Sequence, residues 1–236
     1  MDEQIQQQLD RYLELVLEVN KSINLTRIDS IEQAKVLHIE DSLSALPELC
    51  AAPKGLYGDL GSGGGFPGIP LAIASGRRTV LVDSVQKKMR ALESVISDLG
   101  LSDRITTYAG RIEDLGSEKR SSFSVLTARA LSRLDSLLEL SSPLLKKGGR
   151  LICYKARTAD EELESSLAMQ HLVGMELVSR RSFMLSDGET FRELLVFEKV
   201  GRSQIKLPRR VGLAQNKPSR LWYTRMGSVR RGSWVF

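Results

Sequence analysis

Short apolar runs alternate with longer amphipathic stretches along most of the chain. The apolar runs have the length and composition of buried strands, whereas the longer stretches repeat apolar residues at the three- and four-residue spacing of helices. Strands are predicted at residues 56–60, 78–83, 105–109, 123–130, 150–155, 177–184 and 191–199. Helices between them are predicted at residues 69–75, 87–99, 134–145 and 159–172. This alternation favours an α/β fold with a mostly parallel sheet, to which a C-terminal hairpin adds one antiparallel strand.

The residues before the first predicted strand are expected to be helical. Apolar positions at helical spacing predict one amphipathic helix over residues 2–19. A capping box that begins at Ser30 predicts a second helix over residues 30–46, stopped by Pro47. Three polar residues of the second helix stand at positions i, i+3 and i+4 and therefore share one face: His38, Asp41 and Ser42.

A glycine-rich segment, Asp59-Leu-Gly-Ser-Gly-Gly-Gly-Phe66, joins the first predicted strand to an apolar helix. Glycines at such a turn let the backbone bend sharply and approach a ligand, and the helix start offers unpaired N–H groups. The dinucleotide fingerprint Gly-x-Gly-x-x-Gly fits only from Gly63, further from the strand. The pattern acid-x-Gly-x-Gly-x-Gly is complete from Asp59. The segment is therefore predicted to bind a nucleotide cofactor, with Phe66 covering its adenosine.

Charged residues follow four later strands. Ligands of open α/β sheets bind beyond the carboxyl ends of the strands, so these positions are candidates for a site. Asp83 ends the second strand, where an acid accepts hydrogen bonds from a ribose diol in NAD enzymes and methyltransferases alike. Glu113 or Asp114 follows the third strand, where a methyltransferase meets the adenine amino group and where an ordinary helix N-terminus would also place acids. Arg129 and Lys155 end the fourth and fifth strands.

Composition is that of an ordinary globular domain. The 236 residues are 42% hydrophobic and 27% charged, enough for one α/β domain with appendages. Since no apolar run reaches membrane-spanning length and the N-terminus lacks a signal-peptide core, we expect a cytoplasmic protein without membrane attachment. The two cysteines and two histidines cannot build a disulfide framework or a metal cage, and no metal site is predicted.

Positive charge is concentrated at the C-terminus. The net charge is +5, yet residues 201–236 carry nine basic residues and no acidic one, which leaves 25 basic against 29 acidic residues elsewhere. Such a block favours contact with a polyanion, of which nucleic acid is the first choice, although a solvated tail would have the same composition.

Together these segments resemble the bacterial RsmG (also called GidB) 16S ribosomal RNA methyltransferases, which methylate N7 of one guanine in small-subunit RNA. The combination of His38-Ile-Glu-Asp-Ser-Leu43 with a glycine segment continuing as Phe-Pro-Gly is highly specific for that family. The glycine segment alone would not be. The other matching segments are Asn24-Leu-Thr26, Asp83-Ser84, Lys87-Lys88, Arg111-Ile-Glu113, Arg129-Ala130, Lys155, Lys206-Leu-Pro-Arg-Arg-Val-Gly212 and Lys217-Pro218.

The resemblance implies a class I methyltransferase of Rossmann-like fold that uses S-adenosyl-L-methionine. It implies a helical cap at residues 1–50, a methyltransferase domain at 51–200 and a basic tail at 201–236. It puts the cofactor on Gly61, Phe66, Ile112, Glu113 and Arg129, to which the glycine-rich segment adds Ser62 and Gly63 and the second strand adds Asp83 as predicted contacts. The implied substrate-positioning residues are His38, Asp41, Ser42, Arg129 and Lys155, and the RNA contacts are Asn24, Arg209, Arg210 and Lys217. The implied partner is 16S ribosomal RNA or the small ribosomal subunit, and we expect a monomer.

Residues 219–236 have no counterpart in the family pattern. They contain Trp222, Tyr223 and Trp234 among arginines. Aromatic side chains in such a setting can stack on exposed bases, so the extension is expected either to add RNA contacts or to be a poorly constrained tail.

The implied acceptor atom needs no general base. Guanine N7 carries a lone pair and no proton, so catalysis can depend on positioning, desolvation and electrostatics. The chain also lacks the Asn/Asp-Pro-Pro-aromatic motif of exocyclic amino methylation and a Pro-Cys nucleophile. Three alternatives remain: a methyltransferase acting on another RNA, a nicotinamide-dependent oxidoreductase, and a non-catalytic RNA-binding protein.

Overall fold

A computed structural model describes residues 2–28 and 30–216 of the chain. Its centre is one seven-stranded sheet in the order β3-β2-β1-β4-β5-β7-β6. The strands are β1 (Leu56–Leu60), β2 (Thr79–Asp83), β3 (Ile105–Ala109), β4 (Phe123–Arg129), β5 (Leu145–Lys155), β6 (Met175–Met184) and β7 (Phe191–Lys199). Strands β1 to β5 are parallel, and β7 is antiparallel to both β5 and β6. The predicted parallel sheet with one antiparallel strand is confirmed.

Helices surround this sheet, and five of them each follow one of the strands β1 to β5. They are α1 (Glu3–Asn20), α2 (Ile31–Ala34), α3 (Asp41–Leu43), α4 (Leu46–Ala51), α5 (Gly68–Ser75), α6 (Gln86–Asp98), α7 (Ile112–Glu118), α8 (Leu134–Ser141), α9 (Asp160–Val173) and α10 (Leu213–Asn216). None of those described is long and apolar enough to cross a membrane.

Two predicted helices differ from the observed ones. The second predicted helix is interrupted by a π-helical segment, Lys35–Glu40, between α2 and α3. Pro47 does not stop it; this proline lies in the first turn of α4, where its missing N–H costs no hydrogen bond. The helix predicted to reach residue 145 ends at Ser141, because Pro143 follows and cannot donate to a helical carbonyl.

Apolar side chains cover both faces of the sheet. On β2, Val80 and Val82 belong to the core cluster that includes residues of α7, α8 and α9, whereas the intervening Leu81 belongs to the cluster that includes residues of α1, α5 and α6. This alternation is that of a strand buried on both sides. The N-terminal helix α1 is therefore part of the core on one face. We refer to the helices that precede β1 as the cap.

Candidate active site

A buried carboxylate on β1 anchors the glycine-rich segment by hydrogen bonds. Asp59 lies on β1 and is fully buried; its Oδ1 accepts from the Thr127 hydroxyl at 2.6 Å, and its Oδ2 accepts from the Gly68 N–H at 3.1 Å. Burial raises the pKa of Asp59 to about 6, against the lowering effect of these hydrogen bonds. A Cβ at Gly68 would lie 2.8 Å from Asp59 Oδ2 and 2.4 Å from a Leu81 methyl carbon, so the close approach requires glycine.

The next strand fixes the tip of the same segment. The N–H of Gly63, which has φ 54°, donates to Asp83 Oδ2 at 2.9 Å. Ser62 is buried, and its hydroxyl donates to the Asp59 carbonyl and accepts from the Val82 N–H. The Ser62 side chain thus fastens the loop to the sheet. A Cβ at Gly63 would meet only the Gly61 carbonyl oxygen, at 3.9 Å, so the loop is open on this side.

A narrow groove runs from this loop across the ends of β1, β2 and β3. Four of the predicted cofactor residues line it together: Gly61, Asp83, Ile112 and Glu113. Ile112 and Glu113 form the first turn of α7, so backbone N–H groups and a carboxylate are both available at the groove. The groove encloses about 70 Å³, because Leu131 and Gln215 partly fill it. It is much smaller than pockets that enclose whole ligands, which measure about 300–1,000 Å³.

The chain after the sheet returns to cover this groove. The Gly212 N–H donates to Glu113 Oε1 at 2.8 Å. Ser136 on α8 donates to the Ala214 carbonyl at 2.8 Å. Arg209, a predicted RNA contact, forms two 2.6 Å hydrogen bonds with Glu139, a buried residue of α8. We therefore assign Arg209 to holding the segment 207–216 against the protein.

A second cavity of about 460 Å³ lies beyond β4 and β5, beneath the helical cap. Asp41 is 1% exposed and lies between two arginines: Arg129 Nη1 is 2.8 Å from its Oδ2, and Arg192 Nε is 2.9 Å from its Oδ1. Ala130, directly after Arg129, has φ 54°, a conformation uncommon for residues other than glycine and often found at functional sites. In this cavity the Asp41 carboxylate thus binds one cation from β4 and one from β7, two strands that only β5 separates in the sheet.

His38, in the π-helical segment, packs against the glycine-rich segment. Its ring stacks on Phe66 with centroids 4.2 Å apart, and its Nε2 lies 2.6 Å from the Thr26 hydroxyl oxygen. Burial, reinforced by the Arg129 charge, lowers the pKa of His38 to about 4, so the ring is neutral at pH 7. Within the described part of the chain, Nδ1 has no hydrogen-bond partner. Phe66 is buried here against His38 and Tyr12 and is not among the residues that line the cofactor groove; its role as an adenosine cover stays a prediction.

The remaining predicted residues are scattered. Lys155 lines the second cavity and is paired with Glu162 at 2.6 Å. The buried Ser42 hydroxyl bonds to the His38 carbonyl within its own helix. Asn24 and Arg210 are exposed. Lys217 and the aromatic residues of the extension lie outside the described residues.

Sequence patterns alone missed two residues of the second cavity. Arg192 lies on the antiparallel strand β7, 151 residues from the carboxylate it binds. Tyr154 donates from its hydroxyl to the Ser42 carbonyl at 2.6 Å and ties β5 to the cap. No local spacing links either residue to its partner. The only available signal is the position of each residue near the end of a strand that borders the site.

The groove residues fit S-adenosyl-L-methionine. A ribose diol needs an acceptor such as Asp83, an adenine amino group needs one such as Glu113, and the unobstructed Gly63 turn admits a close ligand. The Asp83 carboxylate already accepts from Gly63 and Val85 N–H groups, which fix its orientation.

Comparison with known proteins identifies relatives over nearly the whole chain. A family model described as rRNA small subunit methyltransferase G (GidB) matches residues 5–187. Ribosomal RNA small subunit methyltransferase G of Geobacillus kaustophilus is 39% identical over 215 residues, covering 89% of this chain and 90% of that protein. The protein of the same name from Bacillus pumilus is 37% identical over 215 residues, with 90% of each chain covered.

Solved structures share the fold at low sequence identity. A geranyl diphosphate methyltransferase in complex with SAM aligns with TM-score 0.55 and 11% identity over 68% of this chain and 85% of that chain. The [4+2]-cyclase SpnF aligns with TM-score 0.54 and 16% identity over 68% and 82%. Because a methyltransferase and a cyclase share this architecture, the fold by itself does not decide the reaction.

Proposed function

The chain belongs to the GidB family of rRNA small subunit methyltransferase G, and we propose that it transfers a methyl group to N7 of a guanine in bacterial 16S ribosomal RNA. Membership makes it an S-adenosyl-L-methionine-dependent rRNA methyltransferase. The acceptor atom is the finer part of the proposal, and the state of the titratable groups in the second cavity supports it.

The second cavity is poorly suited to remove a proton. Asp41 is held by both Arg129 and Arg192, and the lowered pKa of His38 makes its ring a weak base. An acceptor that must lose a proton would need a group with a pKa nearer neutrality in that position. Guanine N7 attacks with a lone pair and has no proton to lose, so it matches this cavity.

In the proposed cofactor site, the chain binds and orients rather than reacts. Asp83 holds the ribose diol, the Ile112 backbone and Glu113 receive the adenine, and Gly61 and Gly63 admit the methionine portion. S-adenosyl-L-methionine supplies a methyl group activated on a sulfonium sulfur. The groove must widen for a ligand of that size, which requires movement of Leu131 or of the covering segment 207–216.

In the proposed acceptor site, Arg129 lines the second cavity, and Leu131, two residues later, lines the cofactor groove. Arginine is the commonest specific partner of guanine O6, and Arg129 and Arg192 offer donors at the cavity. Asp41 keeps these two guanidinium groups in place and balances part of the charge as the base becomes cationic. His38 and Lys155 line the cavity, and Ser42 bonds to the His38 carbonyl. Asn24, Arg210 and Lys217 are proposed RNA contacts.

The deciding experiment supplies methyl-labelled S-adenosyl-L-methionine and small ribosomal subunits from cells that lack this protein. The expected result is label recovered as 7-methylguanosine at a single position of 16S rRNA. Glu113→Gln serves as a cofactor-deficient control, and Asp114→Asn as its matched neighbour. Cofactor binding without label in the RNA would refute the substrate assignment. Label in a different nucleoside would refute only the assignment of guanine N7 as the acceptor atom.

The nicotinamide-dependent alternative loses its basis, because family membership accounts for the strand, glycines and acid that suggested it. We propose that the protein works in the cytoplasm as a monomer, with the cap, methyltransferase domain and tail divided at residues 50 and 200. Light scattering on the purified chain, of mass 26.2 kDa, tests the monomer directly.

A further inference from the structure

A third cleft opens at the end of the sheet opposite the candidate active site. It encloses about 650 Å³ where strands β4 and β5 begin. Phe123 begins β4 and Arg129 ends it. At about 3.3 Å per residue these two residues are roughly 20 Å apart, so the cleft is distinct from the cofactor groove and from the second cavity.

The charged side chains that line this cleft are all basic. They are Arg120, Lys147, Lys199, Arg202 and Lys206. In the described part of the chain, none of the five forms an ion pair with a carboxylate. Five such cations around one concavity produce a focused positive potential, and this favours an anionic ligand.

Lys199 is the most unusual of the five, because it is buried without a counter-charge. It ends β7 and is 8% exposed. Its ammonium donates to the Ser142 hydroxyl and to the Val173 carbonyl, each at 2.6 Å, and both acceptors are neutral. Burial lowers the pKa of Lys199 to about 8. An anion in the cleft would offset the free-energy cost of holding this charge away from water.

We propose that this cleft binds backbone phosphates of the substrate RNA, as a contact remote from the methylated base. Arg202 and Lys206 belong to the first part of the basic tail, so the cleft takes two of its five cations from the most positively charged stretch of the sequence. Backbone phosphates carry no sequence information, and lysine and arginine bind them mainly by charge. The inference rests on the proposed function, because it takes rRNA as the ligand.

The test compares two charge-reversal variants of equal net charge. Lys147→Glu with Arg202→Glu alters the cleft, whereas Arg78→Glu with Arg104→Glu alters the same end of the sheet at strands β2 and β3. Filter binding to purified 16S rRNA and to small subunits is measured from about 50 to 200 mM salt. We expect only the cleft variant to weaken binding at least about tenfold and to reduce the salt slope by about 2, roughly one for each lost phosphate contact.

A third variant addresses the buried amine. Lys199→Met should fold with an unchanged or higher melting temperature, since a poorly compensated charge is removed, and should still bind rRNA more weakly than the wild type. Cofactor affinity, measured by calorimetry, should be the same in all variants.

Equal rRNA binding by the cleft variant and its control would overturn the inference. The inference would also be overturned if Lys199→Met abolished the binding of inorganic phosphate but left rRNA binding unaffected, because the cleft would then be a site for a free anion. A wild-type protein that binds rRNA without methylating it would contradict the proposed function but not the cleft. Normal methylation with unaffected cleft variants would contradict only the cleft.

Discussion

The Glu113 carboxylate, proposed to receive the cofactor adenine, accepts a hydrogen bond from the backbone N–H of Gly212, 2.8 Å away and 99 residues later in the chain. Oε1 is the atom engaged, and the second carboxylate oxygen can accept from an adenine amino group. The C-terminal segment therefore orients the group that is proposed to read the adenine. Arg209 holds this segment through its paired hydrogen bonds with Glu139, so its effect should appear in cofactor affinity.

Replacing Arg209 by Met should weaken S-adenosylhomocysteine binding by roughly three- to tenfold in calorimetry. The variant removes the Arg209 guanidinium from the buried Glu139 carboxylate, which destabilises the segment by up to roughly 3 kcal/mol, less than breaking a fully buried pair because Arg209 is partly exposed. Arg209→Lys should restore part of the affinity. Arg210→Met is the matched control and should leave cofactor binding unchanged; equal effects of the two variants would contradict this role.

Glu113→Gln should weaken cofactor binding by roughly 10- to 100-fold. The amide can still accept from Gly212, but it replaces a charged acceptor by a neutral one, and a hydrogen bond to a charged group contributes about 1.5–3 kcal/mol. Asp114→Asn changes the charge by the same amount at an exposed neighbour and should leave affinity unchanged. Wild-type affinity in the Glu113 variant would exclude the adenine contact.

Asp41→Asn should reduce methyl transfer more than tenfold while leaving cofactor affinity intact, because Arg129 and Arg192 lose the charge that positions them. Glu48→Gln is the matched control, since Glu48 also joins the cap to the sheet through an arginine, Arg181 at 2.8 Å, outside the second cavity. Both variants should lower the melting temperature. Only the first should lower activity per folded molecule, and equal losses would reduce Asp41 to a structural role.

Asp59→Asn should be at least as stable as the wild type at pH 7. The amide of the variant can accept from Gly68 and donate to Thr127. In the wild type, burial disfavours the ionised carboxylate and raises its pKa, so the folded protein loses stability as pH rises from about 4 to 6. Asp59→Ala loses both bonds and should cost roughly 1–3 kcal/mol. Chemical denaturation at pH 5 and pH 7 measures both; a strongly destabilised Asn variant would show that the charge itself is needed.

Acid should destabilise the protein through His38. Its folded pKa of about 4 lies below the ordinary value of 6.5, so the unfolded chain binds the proton more readily between these values. The stability that depends on neutral His38 is fully present above about pH 6.5 and is lost as the pH falls toward 4. Melting curves of His38→Gln should show a smaller acid loss than the wild type. His171→Gln, at an exposed histidine of α9, should behave as the wild type does.

Local pattern predicted much of the architecture because the relevant interactions are local or periodic. Strands β1 to β4 and the glycine segment between β1 and α5 lie close to their predicted positions, since apolar runs and turn glycines are properties of neighbouring residues. Breaks in helices were predicted less well. The π-helical segment and the position of Pro47 depend on how the cap packs over the sheet.

The sequence by itself determined the fold class and the family. It also predicted Gly61, Asp83, Ile112 and Glu113 as cofactor residues, and these line one groove because parallel strands end at the same edge. Only the tertiary structure decided which charges are committed to partners. Asp41 meets Arg192 across 151 residues and Arg209 meets Glu139 across 70, distances over which no spacing rule applies. The physical reason is that ion pairs form between side chains that the packed core brings together, and that core is a property of the whole chain.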